Sequence, residues 1–242
     1  GNTIGDGTVV SVGAGTSFTN TTLAPNTIYH YDVIAYNGSG TTINYLTTLP
    51  PLENSQTTLA SEPISQASTL TFSNITTTSL DGSFTAAIGS PSGYIVLRRQ
   101  GSSPTGIPVD GTIYSVGNLI GNGTVVSVSS STSFNEAGFI SGTTYHYTVF
   151  SFNGSGAAIN YLTSISTNTS STITLPDDPQ NFTVSDPQQT SLRTQWQPVT
   201  GVTQYEMEVS TTENFNNHIP NYNPKIISGA NSLSLFEMSL FR

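Results

Sequence analysis

The chain has 242 residues, of which only 8% are charged; Lys plus Arg number five, Asp plus Glu fourteen, and the formal net charge is −9. So few cations leave no basic stripe for a phosphate backbone, which excludes nucleic acid as an expected partner. Cysteine is absent, so disulfide frameworks, thiolate metal sites and thiol nucleophiles are excluded together, and no apolar run reaches the roughly 20 residues that a membrane-spanning helix needs.

The first element met is a copy. Gly1-Asn2-Thr3-Ile4-Gly5-Asp6-Gly7-Thr8-Val9-Val10-Ser11-Val12 returns at Gly117 as Gly-Asn-Leu-Ile-Gly-Asn-Gly-Thr-Val-Val-Ser-Val, and the match runs without a gap to Pro63 and Pro179, a constant offset of 116 residues. Such self-similarity implies a tandem array of like modules. Position 1 falls inside a repeat, so the first module is expected to lack its early strands and the chain to be a segment of a longer protein.

Aromatic residues make up 10% of the chain and the apolar ones alternate, which predicts strands in place of disorder and almost no helix. In Thr144-Tyr145-His146-Tyr147-Thr148-Val149-Phe150-Ser151-Phe152, one face carries Tyr145, Tyr147 and Val149, and the other His146, Thr148, Phe150 and Phe152. The strand should stop at Asn153-Gly154-Ser155-Gly156, as its first copy does at Asn37-Gly38-Ser39-Gly40, because these residues accept positive φ. A third module opens near Pro179. The expected division is 1–50, the later part of one module; 51–62, a linker; 63–165, a whole module with an insertion at 101–123; 166–178, a second linker; and 179–242, the early part of a third.

The stretch Leu23-Ala24-Pro25-Asn26-Thr27-Ile28-Tyr29-His30-Tyr31-Asp32-Val33 resembles the turn and sixth strand of a fibronectin type III domain, with Tyr29 as its corner tyrosine. Trp196-Gln197-Pro198-Val199 followed by Tyr205-Glu206-Met207-Glu208-Val209 resembles that family's second and third strands; the middle module has Phe84 in place of the tryptophan. The resemblance implies an all-β fold of tandem immunoglobulin-like sandwiches in a linear array, two antiparallel sheets per module. Tyr94 to Arg99, followed by Gly101-Ser102-Ser103-Pro104 and Pro108 to Tyr114, is similar to repeats of very long Bacteroidetes surface proteins, some of them adhesins. That likeness implies export by the type IX route, an extracellular location, and a spacer or adhesive role without catalysis.

Catalytic chemistry finds little purchase. His30 and His146 are equivalent positions in successive repeats, next to inward tyrosines, and so should face outward. No Gly-x-Ser-x-Gly elbow accompanies the many serines, and Glu206 and Glu208 share an outward strand face. At the module boundaries Glu62, Asp177 and Asp178 offer oxygen ligands of the kind calcium takes, without an Asp-x-Asp-x-Asp loop, so no metal or other cofactor is expected. Arg98-Arg99, at a strand end, reads as edge protection more readily than as a grip for an acidic sugar.

One face asks for a cover. Ile95 and Leu97 lie opposite Tyr94 and Val96, on the same outer side as Phe150 and Phe152, and the insertion, with Ile107, Val109, Ile113, Tyr114 and Val116, is expected to fold over them. Left bare, these four would be the best interaction surface, since sizeable apolar patches mark contacts; the homologous Ile34 and Tyr36 should be bare in the first module. The expected partners are other modules of the same long chain, together with surface glycans or proteins. Modules accessory to a secreted polysaccharide-degrading enzyme, or modules that bind a glycan or protein directly, are the alternatives. A head-to-tail filament of copies is disfavoured, because the third module differs in sequence from the first.

Overall fold

The computed structural model describes residues 1–163, 167–222 and 224–228, and the backbone of 236–239. In the first repeat copy the strands are Thr3–Ile4 (β1), Gly7–Thr8 (β2), Ile28–Val33 (β3), Tyr36–Asn37 (β4), Asn44–Tyr45 (β5) and Leu52–Thr57 (β6). The middle unit has Ser68–Ser73 (β7), Ser79–Thr85 (β8), Gly93–Gln100 (β9), Leu119–Ile120 (β10), Gly123–Ser129 (β11), Ser133–Ala137 (β12), Thr144–Asn153 (β13), Asn160–Tyr161 (β14) and Asn168–Ile173 (β15). The last has Gln180–Ser185 (β16), Ser191–Gln197 (β17), Gln204–Met207 (β18), Lys225–Ser228 (β19) and Phe236–Ser239 (β20). Among the described residues the only helical elements are the single 3-10 turns Gly40–Thr42 and Gly156–Ala158.

The middle unit is a sandwich. One sheet runs β12-β8-β7; the other runs β10-β11-β9-β13-β14, with β15 also on β13, and every pairing is antiparallel. Between them lies an inner core of Leu70, Leu80 and Phe84 from the small sheet and Tyr94, Val96, Tyr145, Tyr147 and Val149 from the large one. Period-two alternation is what delivers these residues to one side. Phe84 stands edge-on to Tyr94 at 4.9 Å, as Trp196 stands to Tyr205 at 5.3 Å in the last unit, so the smaller aromatic keeps the same partner.

Corner ties recur at the spacing of the repeat. Tyr29 accepts a hydrogen bond from the Ala24 amide at 3.0 Å and Tyr145 one from the Ile140 amide at 3.1 Å, each five residues upstream. Tyr94 and Tyr205 accept from the amides of Ala87 and Val199. Each tie gives a loop N–H a phenol oxygen to donate to, buried at Tyr94 and Tyr145 and half-buried at Tyr29 and Tyr205.

About half of each stretch read as a linker is strand. β6 pairs with β3 from Ile28↔Thr57 to Val33↔Leu52, and β15 pairs with β13 from Thr144↔Ile173 to Val149↔Asn168. Their Ser, Thr and Asn content reflects an edge strand facing water and carries no linker signal. The chain left between strands of adjoining units is correspondingly short.

Candidate functional site

Ile95, Leu97, Phe150 and Phe152 stand on the outer face of the large sheet, and all four are buried, none above 8% exposed. As a surface in the middle unit they are therefore unavailable. They form a second core with Ile120, Val125, Ile159 and Tyr161, against which Tyr114 and Val128 pack. Tyr114 and Tyr161 lie 6.0 Å apart and Phe152 and Tyr161 5.6 Å.

The insertion supplies only part of this cover. Gly106, Pro108 and Ile120 are buried and Tyr114 half-buried, whereas Ile107, Val109, Ile113 and Val116 remain between 59% and 67% exposed. A Cβ on Gly106 would lie 1.8 Å from the Ile120 carbonyl oxygen, so the chain enters the insertion by backbone-to-backbone contact that only glycine permits. The rest of the cover is the β13–β14 hairpin with Ile159 and Tyr161, two residues the sequence reading passed over. Their signal was available: Asn-Gly-Ser-Gly-x-x-Ile-Asn-Tyr-Leu-Thr is identical at 37–47 and 153–163.

In the first unit the corresponding residues are less covered, although Ile34, expected bare from the sequence, is not. Ile34 is half-buried, and Tyr36 and Tyr45 are exposed, with their rings 5.4 Å apart much as Phe152 and Tyr161 are. Ile43 and Leu46 are exposed beside them.

Arg98 departs from its expected role at the strand edge. Its guanidinium donates to Glu136 Oε1 at 2.6 Å and lies over the rings of Phe139 and Tyr145, 5.2 and 5.5 Å from their centroids. Tyr147 donates its hydroxyl to Glu136 Oε2 at 2.8 Å. The Glu136 side chain is 10% exposed and that of Arg98 26%. Burial pushes the Glu136 carboxyl above the usual range, outweighing the opposing pull of Arg98 and the Tyr147 hydrogen bond. Burial also pushes the Tyr147 phenol far up, and the Glu136 charge pushes it further; the Tyr161 phenol rises to about 12, again chiefly through burial. With both carboxylate oxygens engaged, the cluster fastens β12 to β9 and β13.

Two of the three boundary carboxylates accept hydrogen bonds from residues far away in sequence. Glu62 accepts from the Thr163 amide at 3.4 Å and Asp177 from the Ser141 hydroxyl at 2.6 Å. His30 is exposed and His146 half-buried, while Glu206 and Glu208 are exposed on one side of the chain, as their alternation required.

No family model matches the chain, and no curated protein matches it. Among solved structures it is similar to a two-domain fibronectin type III segment of chicken tenascin, at 17% identity and a TM-score of 0.41, covering 73% of this chain and 84% of that one. It is also similar to the FN1–FN3 domains of chicken CNTN1 (14% identity, TM-score 0.31, 90% and 68% covered) and to the central fibronectin-III array of RIM-binding protein (18%, 0.30, 77% and 60%). At these scores they add nothing to what the strand order itself shows, an all-β fold of immunoglobulin-like sandwich type.

Proposed function

We propose that the chain is a non-enzymatic structural segment of a long secreted or cell-surface repeat protein, its sandwiches serving as spacer or adhesion modules. The observation that carries this reading is the recurrence of structural ties at a fixed interval: the corner tyrosines Tyr29 and Tyr145 and the turns at Asn37 and Asn153 repeat the same geometry. In such an array stability is a sum of local terms and length grows by whole modules. The exposed Tyr36, Ile43 and Tyr45 of the first unit are the adhesive surface in this reading. Type IX export and a Bacteroidetes-type adhesin context belong to the same proposal and rest on the sequence resemblance alone.

Pulling on the whole chain in a single-molecule instrument tests it. The middle unit should yield in one step that releases about 105 residues, on the order of 350 Å of contour. Gradual extension with no step of that size would overturn the reading of the unit as a load-bearing spacer.

A further inference from the structure

Thr58 to Gln66 runs from the last strand of the first unit to the first strand of the middle one, and both units grip it. On the first-unit side Thr58 donates its hydroxyl to the Ala24 carbonyl at 2.7 Å and accepts from the Thr27 amide at 3.1 Å, and the Leu59 carbonyl accepts from the Asn26 amide at 2.9 Å. On the middle-unit side the Ala60 amide donates to the Ala158 carbonyl at 2.7 Å. The side-chain amide of Asn160 donates to the Ala60 carbonyl at 2.7 Å and that of Asn153 to the Ser61 carbonyl at 2.9 Å. Gln66 then bridges the Ser151 amide, at 2.8 Å, and the Leu162 carbonyl, at 2.6 Å.

The Leu59 carbonyl and the Ala60 N–H belong to one peptide group. That group is planar, with a rotation barrier of about 18–20 kcal/mol, so no soft dihedral lies between the first unit's grip and the middle unit's. A bend at this point has to break one of the two hydrogen bonds. Side-chain packing adds to the grip: Ala60 is buried, and a Cβ on Gly154 would lie 2.8 Å from its methyl carbon. The insertion braces the hairpin from behind, through Gly111 N–H to the Ile159 carbonyl, Tyr161 N–H to Asp110, and the Tyr161 hydroxyl to the Thr112 carbonyl.

We propose that the hairpin Asn153 to Leu162 is a docking surface for the end of the preceding module, taking an extended Leu-Ala-Ser-Glu segment, and that it makes the joint between the first and middle units hingeless. The second core is then the foundation of that joint, because Ile159 and Tyr161 belong to both. The next boundary is built differently. Thr174 and Leu175 repeat the first half of the grip, Thr174 donating to the Ile140 carbonyl and the Leu175 carbonyl accepting from the Gly142 amide. The residue that follows is Pro176 where the earlier boundary has Ala60, and proline has no N–H to donate. Pro176 thus removes, at the second boundary, the main-chain donor that ties the first one to the hairpin.

The cysteine-free sequence allows a direct test on the whole chain, with spin labels on cysteines introduced at the exposed Ser55 and Asn135 and distances measured by pulsed dipolar spectroscopy. The native chain should give one narrow distribution. Ala60→Pro, which copies the second boundary and leaves every middle-unit residue in place, should at least double its width, and so should Asn160→Ala. Asn44→Ala, the same residue in the first copy, should leave it unchanged. A native distribution already as broad as that of Ala60→Pro, or an Ala60→Pro distribution as narrow as the native one, would overturn the proposal; should Asn160→Ala unfold the unit, Ala60→Pro still decides.

Discussion

Leu97→Ala lowers the stability of the middle unit by about 2–5 kcal/mol and Phe150→Ala by about 3–5 kcal/mol, the range for emptying a packed site. Both residues sit on what would be the solvent side of an ordinary two-layer sandwich. Leu97 is wholly buried on β9, with Val125 of β11 opposite it on one side and Thr148 of β13 on the other. The unit therefore has two layers of buried side chains, and the outer one carries weight comparable to the inner. Alanine at Ile107, Val109, Ile113 or Val116 should change stability by no more than about 0.5 kcal/mol, as at surface sites elsewhere. Urea titration of the six variants beside the native chain measures the contrast; a Leu97→Ala midpoint no lower than that of Ile113→Ala contradicts it.

Arg98→Ala should cost about 2–4 kcal/mol near neutral pH, somewhat below the usual loss for breaking a buried ion pair because the Arg98 side chain is a quarter exposed. Removing it leaves the Glu136 carboxylate facing the inner core with only the Tyr147 hydroxyl for support. The pH dependence identifies the cause. Glu136 already titrates above its unfolded value, so between the two pKa values the native state binds more protons than the unfolded state and stability falls as pH rises. Without Arg98 the attraction that opposed burial is gone, the folded value moves higher still, and the fall steepens. Lowering the pH through that window should return part of the lost stability by protonating Glu136. Arg98→Ala combined with Glu136→Gln should lose this pH dependence while keeping an acceptor for Tyr147. A flat profile for Arg98→Ala alone would show that the loss is only of stacking on Phe139 and Tyr145.

The fold was legible because its signals are periodic. Alternation along Thr144 to Phe152 assigns each side chain to a core, and the positive φ angles at Gly154 and Gly156 end the strand where the Asn-Gly-Ser-Gly turn was expected. The last strands were hidden, since β6 and β15 face water with Ser, Thr and Asn and so carry the composition of a linker. The need for an outer cover was readable from Ile95, Leu97, Phe150 and Phe152. Which residues supply it was not, because an apolar residue in an irregular segment has no period to say where it points. Arg98 was misjudged for a related reason: its carboxylate partner lies 38 residues away on the opposite sheet, a pairing only the folded topology makes. The peptide at Leu59–Ala60 left no trace in composition at all, since its bonds are made by main-chain groups that every residue but proline carries.

The account rests on the middle unit being one cooperative body whose inner and outer cores share β9 and β13. Hydrogen exchange followed residue by residue in the whole chain, across a series of urea concentrations, tests this most directly. The amides of Phe84 beside the inner core, of Val125 in the outer core and of Leu162 in the hairpin should converge on one opening free energy that falls with urea. If Val125 and Leu162 open at a lower energy that is insensitive to urea while Phe84 stays protected, the outer core is a detachable layer and the joint built on it has no firm base.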